Sequence, residues 1–195
     1  MKTQRQRCSW VTANPMYQAY HDHEWGVPCY DSYELFELLC LESAQAGLSW
    51  LTVLKKRDHY RLMFEGFNPS LIAQYGDAKI DRLLKDKGII RHRGKIEAFI
   101  ANAQAFLAME EQGEDFASFI WSFVNGQPLV NQWTADQSIP SYTNRSEKMS
   151  QALKQRGFKF VGKTICYAFM QAAGLVNDHE SSCYKRKVTR NPPVS

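Results

Sequence analysis

No stretch of this chain approaches the roughly 18 consecutive apolar residues that a membrane-crossing helix needs. The N-terminal MKTQRQRCSW has no apolar core of a secretory signal. A disulfide framework is missing too. Five cysteines is an odd number, set without framework spacing, which fits a reducing compartment such as the cytoplasm. Strong charge imbalance is also absent: 24 Lys and Arg against 20 Asp and Glu leave a formal +4. That permits an anionic partner without requiring one, and any basic surface must be local. The sequence holds no convincing succession of strands and no internal repeat. What remains is a chain of 195 residues, 44% hydrophobic, long enough to bury a sizeable core.

The periodicity is helical almost throughout. Asp31 followed by Glu34 has the form of a capping box opening SYELFELLCLESAQA, which Gly47 closes. Ser49 caps a second helix that carries Trp50, Val53, Leu54, Tyr60 and Phe64. Asn68-Pro69 is a cap followed by proline, and Asp77 caps the stretch to Leu84. An amphipathic helix spans Ile96 to Met109, and FASFIWSFV forms a short apolar one before Asn125-Gly126. Positions 126–145 read as a long polar loop. SEKMSQALKQRG ends at Gly157 and KTICYAFMQAAG at Gly174. The expectation is an all-α fold of roughly eight short helices. Residues 1–184 make one helical domain, as a single body or as two lobes about a cleft, and 185–195 are a flexible tail.

Three constellations carry chemistry. In QALKQRGFKFVGKTICYAF, Gly157 and Gly162 bracket a short apolar turn between helices. This is an ordinary connection, or a helix-hairpin-helix near 156–164 whose backbone N–H groups at Gly162 and Thr164 hold a DNA phosphate, with Lys159 and Lys163 alongside. The run Arg91, His92, Arg93, Lys95 is a solvated face or a second phosphate contact. In LFELLCLESAQAGLSW, Leu35, Leu39, Glu42 and Ala46 share one helix face, so Glu42 interrupts a core stripe. Burying an unpaired carboxylate is costly, so Glu42 has partners or faces a cavity. Trp50, Tyr17, Tyr20 and Trp25 supply aromatic surface nearby, as plain core or as walls for a flipped cationic purine. Finally, His179 and Cys183 lie four apart near the C-terminus, with Cys8 and His21 or His23 near the other end. Cys2His2 is a complete tetrahedral zinc set, although incidental cysteines beside a helix-end histidine explain the residues equally.

Together these stretches resemble the bacterial 3-methyladenine DNA glycosylase I family, the Tag-type enzymes. The resemblance rests on CSWVTANPMYQAYHDHEWGVP, LFELLCLESAQAGLSWLTVLKKR, GIIRHRGKIEAFIANA, WSFVNGQP and RGFKFVGKTICYAFMQAAGLVNDH, spanning about positions 7–183. It implies a helix-hairpin-helix superfamily fold and one structural Zn2+ joining the chain ends. The implied ligands are Cys8, His21, His179 and Cys183, which selects His21 over His23. It further implies a base pocket of Glu42, Trp50, Tyr17 and Tyr20, with Trp10 nearby. The implied activity is hydrolysis of the N-glycosidic bond of 3-methyladenine in alkylated double-stranded DNA, without lyase activity. The sequence gives no strong sign of oligomerisation, so a monomer is the expectation. Asp178 follows the hairpin but is not assigned the supporting role an aspartate has elsewhere in that superfamily.

Overall fold

Regular structure in the computed structural model, which describes residues 6–133 and 138–187, is overwhelmingly helical. In chain order the helices are α1 (Pro15–His23), α2 (Ser32–Gln45), α3 (Trp50–Leu54), α4 (Arg57–Met63), α5 (Pro69–Ile72), α6 (Asp77–Lys85), α7 (Arg93–Glu111), α8 (Phe116–Ser122), α9 (Asn144–Gln155) and α10 (Lys163–Ala172). Short 3-10 turns occupy Glu65–Phe67 and Tyr184–Lys187. Two short strands, β1 (Leu129–Val130) and β2 (Val176–Asn177), pair in parallel. No helix among the described residues is long and apolar enough to cross a membrane.

Local chemistry explains most boundaries. The Asp31 carboxylate accepts from the N–H groups of Tyr33 and Glu34, and Asn68 caps α5 through Ser70 N–H ahead of Pro69. Glu34 does not complete a capping box; its carboxylate accepts from the Cys29 thiol instead. A reciprocal box lies at Thr143 and Ser146, its cap residue inside the stretch expected to be loop, and it starts α9. The single helix expected from Trp50 to Phe64 is two, α3 and α4, broken at Lys55–Lys56. α6 is capped by Gly76, with Asp77 in its first turn, and α7 begins at Arg93 rather than Ile96, with His92 as its cap. α1 was not expected at all, although Asn14-Pro15 carries a standard start signal: Asn14 Oδ1 accepts from Met16 and Tyr17 N–H. The expected tail from 185 opens within the Tyr184–Lys187 turn; its remainder, 188–195, lies outside the described residues, as do 1–5 and 134–137 of the expected loop.

The core is organised along α7. Phe99 and Phe106, two turns apart on one face, anchor two aromatic groups. Phe99 meets Phe64 at 5.0 Å between ring centres; Phe106 meets Phe36 at 5.3 Å and Phe116 at 5.2 Å. Phe116 in turn stacks on Phe158, in the turn between α9 and α10, at 5.7 Å. That turn is also held by a polar clamp. Buried Asn102 of α7 accepts from Lys159 N–H (2.7 Å) and donates to Lys159 C=O (3.3 Å).

A second seam joins the two ends of the chain. Gly26 N–H donates to the Gln171 carbonyl (3.1 Å) and Cys29 N–H to the Ala173 carbonyl (3.0 Å). Gly174 sits at φ +72°, and a Cβ there would lie 2.4 Å from the backbone of Val27 and Pro28, so only glycine allows this approach.

Asn102→Ala removes both partners of Lys159's peptide groups and leaves a small void. The expected cost is about 2 kcal/mol, a fall of about 4–8 °C in the melting midpoint by calorimetry.

Candidate functional site

The seam between the chain ends opens into a cavity of about 350 Å³. Trp10, Tyr17, Tyr20 and Trp25 line it from the N-terminal side, Glu42, Gln45 and Trp50 from α2 and α3, and Thr164, Tyr167 and Gln171 from α10. Ile139, Pro140 and Ser141, just ahead of α9, close another side. The sequence candidates Glu42, Trp50, Tyr17, Tyr20 and Trp10 therefore share one cavity. Trp25, read from the sequence as aromatic surface beside them, lines it too, and Gln45, Tyr167 and Gln171 join from positions to which sequence periodicity gives no functional signal.

Glu42 is 3% exposed, and its Oε2 has no hydrogen-bond partner among the described residues. The Trp50 Nε1 is likewise buried without a partner there. Burial pushes the Glu42 carboxyl up to about 8, so in the ligand-free protein it is mostly a neutral acid at pH 7. Burial, and next the nearby Glu42, also raise the hydroxyls of Tyr17 and Tyr20. The aromatic walls touch one another: Tyr20 lies 5.3 Å from Trp50, and Trp10 lies 5.0 Å from both Tyr17 and Trp25. Ring faces attract positive charge, and a carboxyl with an idle oxygen is ready to accept. Such a site suits a flat cation carrying an N–H.

Lys95 keeps Glu42 in place. It is buried, and its ammonium donates to the carbonyls of Ala44 (2.8 Å) and Ala46 (2.7 Å), the orphan acceptors at the end of α2. The run from Arg91 to Lys95 is therefore neither a solvated face nor a phosphate contact along its whole length. Lys95 is occupied inside, and Arg93 pairs with Asp81 (2.6 Å) and Glu97 (3.6 Å), while Arg91 is exposed.

Around the start of α10, Gly162 is the cap residue and an added Cβ there would meet no protein atom within 4 Å. Its outward face is open to a ligand. Lys159 and Thr164 are exposed, and Thr164 also reaches the cavity. Lys163 sits 3.5 Å above the Tyr142 ring and 3.4 Å from Glu147.

Directly behind the aromatic wall lie Cys8, His21, His179 and Cys183, all buried, with one donor atom of each within 4.8 Å of the others. Cys8 Sγ is 3.5 Å from His179 Nδ1, and Cys183 Sγ is 3.4 Å from His21 Nε2 and 3.6 Å from His179 Nδ1. The outer ring nitrogens are held as well: His21 Nδ1 by Asp22 (2.9 Å) and His179 Nε2 by the Trp25 carbonyl (3.2 Å). Glu180 and Lys185 N–H groups point at the two sulfurs, both at 3.5 Å. Gly26 at φ +76° makes room, since a Cβ there would come within 3.0 Å of His179. These four residues could hold one metal ion; His23 is not among them.

The sequence model of the methyladenine glycosylase family matches residues 10–186. The chain belongs to this family. DNA-3-methyladenine glycosylase 1 of Escherichia coli is 59% identical over 178 residues, 91% of this chain and 95% of that protein. DNA-3-methyladenine glycosylase of Haemophilus influenzae is 54% identical over 177 residues, covering 91% and 96%. Among solved structures, a variant 3-methyladenine DNA glycosylase I in complex with 3-methyladenine superposes with TM-score 0.90 at 41% identity, covering 94% of this chain and 99% of that one.

For this glycosylase the raised Glu42 value fixes a pH dependence. The folded carboxyl binds its proton up to about 8 and the unfolded one only to about 4.5, so the folded state carries more protons between them. Stability of the ligand-free protein should fall as pH rises through that window. Glu42→Gln should flatten this slope in denaturant titrations at several pH values; an unchanged slope would show that the carboxyl is not held neutral.

Proposed function

We infer that this protein hydrolyses the N-glycosidic bond of 3-methyladenine in alkylated DNA, releasing the base and leaving an abasic site for base excision repair. The observation that carries this is the buried Glu42 Oε2, without a partner among the described residues, inside an aromatic cavity, in a chain whose relatives bear that activity in their names. A duplex base cannot reach such a cavity while stacked, so the damaged nucleotide is flipped out of double-stranded DNA. Phosphates then lie against Gly162, Lys159, Lys163 and Thr164, where open backbone and exposed or half-buried side chains surround the start of α10.

N3 methylation leaves a positive charge on the purine, so its bond to the sugar is already weak. Trp50 stacks on the base, Tyr17 and Tyr20 shape the pocket, and Trp10 closes its edge. Entry of the cation favours loss of the Glu42 proton, and the carboxylate accepts a hydrogen bond from a base N–H. As the C1′–N9 bond breaks, its electron pair moves onto the base and neutralises it. Water adds its oxygen to C1′ and gives up a proton. Neutral adenine neither draws the proton from Glu42 nor leaves readily, so discrimination lies in charge as well as shape. The reading is of a monofunctional hydrolase without lyase activity. The protein is read as a monomer working in the cytoplasm, where its thiols stay reduced.

Cys8, His21, His179 and Cys183 fit one structural Zn2+. Tetrahedral zinc with usual bond lengths separates sulfur from nitrogen by about 3.6 Å, and the three close S···N distances are 3.4, 3.5 and 3.6 Å. A complete Cys2His2 set leaves no position for a reactive water, so the ion's contribution is to tie residues 8–21 to 179–183.

Incubation with methylated DNA should release 3-methyladenine, identified by chromatography. Quantitative release of 7-methylguanine would point to a broader enzyme. Glu42→Gln should lower kcat/KM by about 10–100-fold, and unchanged kinetics would remove Glu42 from the mechanism. Elemental analysis should find one zinc per chain. Cys183→Ser should lose it and melt about 10 °C or more lower, whereas a metal-free wild type of full stability would refute the clasp.

A further inference from the structure

Asp178 is 1% exposed and, among the described residues, accepts four side-chain hydrogen bonds, none from a charged group. Its Oδ1 takes Asn131 Nδ2 (2.6 Å) and Trp133 Nε1 (2.8 Å). Its Oδ2 takes the Tyr167 hydroxyl (2.6 Å) and Gln171 Nε2 (2.8 Å). The second pair matters for the site, because Tyr167 and Gln171 sit one turn apart on α10 and both line the cavity. A hydroxyl or an amide can serve as donor or as acceptor. Asp178 removes that freedom. With its proton committed, the Tyr167 oxygen faces other partners only through lone pairs. With one N–H committed to Asp178, the Gln171 amide is fixed in orientation: its Oε1 stays free to accept, and reversing the amide would set that oxygen against a carboxylate.

We propose that Asp178 is a positioning residue that fixes the α10 wall of the cavity as an acceptor surface, and that Gln171 Oε1 is a specificity-determining contact for the cationic flipped nucleotide. This rests on the glycosylase reading above. Gln171 works with Glu42: one neutral acceptor is held in fixed orientation, while the other gains its charge on binding. Together they favour a ligand that is positive and rich in N–H groups. A neutral purine, whose ring nitrogens are acceptors, meets the wrong polarity at Gln171 Oε1 and gives Glu42 no reason to ionise.

The donor-only indole of Trp133 makes this testable. In Asp178→Asn, the side-chain oxygen must stay on Trp133, so the new NH2 faces Tyr167 and Gln171. Both can turn round to accept from it, which preserves the packing and inverts the wall. Asp178→Asn and Gln171→Met should each lower kcat/KM on methylated DNA by about tenfold, with the melting midpoint of Asp178→Asn within a few degrees of wild type. The double variant should be no worse than either alone. Discrimination should also fall: the ratio of Kd for free adenine to Kd for free 3-methyladenine should drop in each single variant. A purely structural Asp178 predicts instead additive losses and an unchanged ratio, and either result overturns the proposal. If Asp178→Asn does not fold, Gln171→Met decides alone, and an unchanged Kd ratio overturns the assignment. Failure of the wild type to release 3-methyladenine would remove the functional reading itself, a different outcome from an active wild type with an additive cycle.

Discussion

Everything about the cavity depends on residues 8–30 being held against residues 167–184. Its aromatic side comes from the first of these segments and its α10 wall from the second. Backbone and side-chain contacts join them: Gly26 to Gln171 and Cys29 to Ala173 through the backbone, the His179 ring to the Trp25 carbonyl, and Ser9 to the Glu180 carboxylate. Trp10 and Trp25 also pack edge-on against His21 and His179, with ring centres 5.4 and 4.7 Å apart. The cluster of thiols and imidazoles is therefore the back of the cavity wall. Whatever sets the spacing of those four donors also sets the aromatic faces in front of them.

Within that frame, the polar groups divide by whether they have partners. Lys95, Asn102 and Asp178 are buried and hydrogen-bonded, and each immobilises backbone or side chains around the site. Glu42 and Trp50 are buried and keep an atom idle. A buried polar atom without a partner costs stability, so its persistence beside a cavity is best understood as capacity reserved for a ligand. The rigid set supports the idle set. Lys95 fixes the helix end just beyond Glu42, and the α10 wall stands opposite.

Helix positions were readable because caps and apolar spacing are local. Glu42 stood out for the same reason, as a carboxyl on an otherwise apolar stripe. The losses have physical causes. α1 hides among aromatics and histidines that break simple periodicity, even though Asn14-Pro15 announces it. A pair of two-residue strands is too short to show alternation. Lys95 looked like part of a solvated basic run, because nothing local reveals that its stem reaches two carbonyls on another helix. The donors around Asp178 come from Asn131, Trp133, Tyr167 and Gln171, separated by loop and helix, so only the folded chain brings them together.

The seam between the chain ends also constrains synthesis. A nascent chain that has not yet released α10 and the residues to Cys183 from the ribosome lacks one wall of the cavity and half of the four-residue cluster. It therefore cannot hold a damaged base at all.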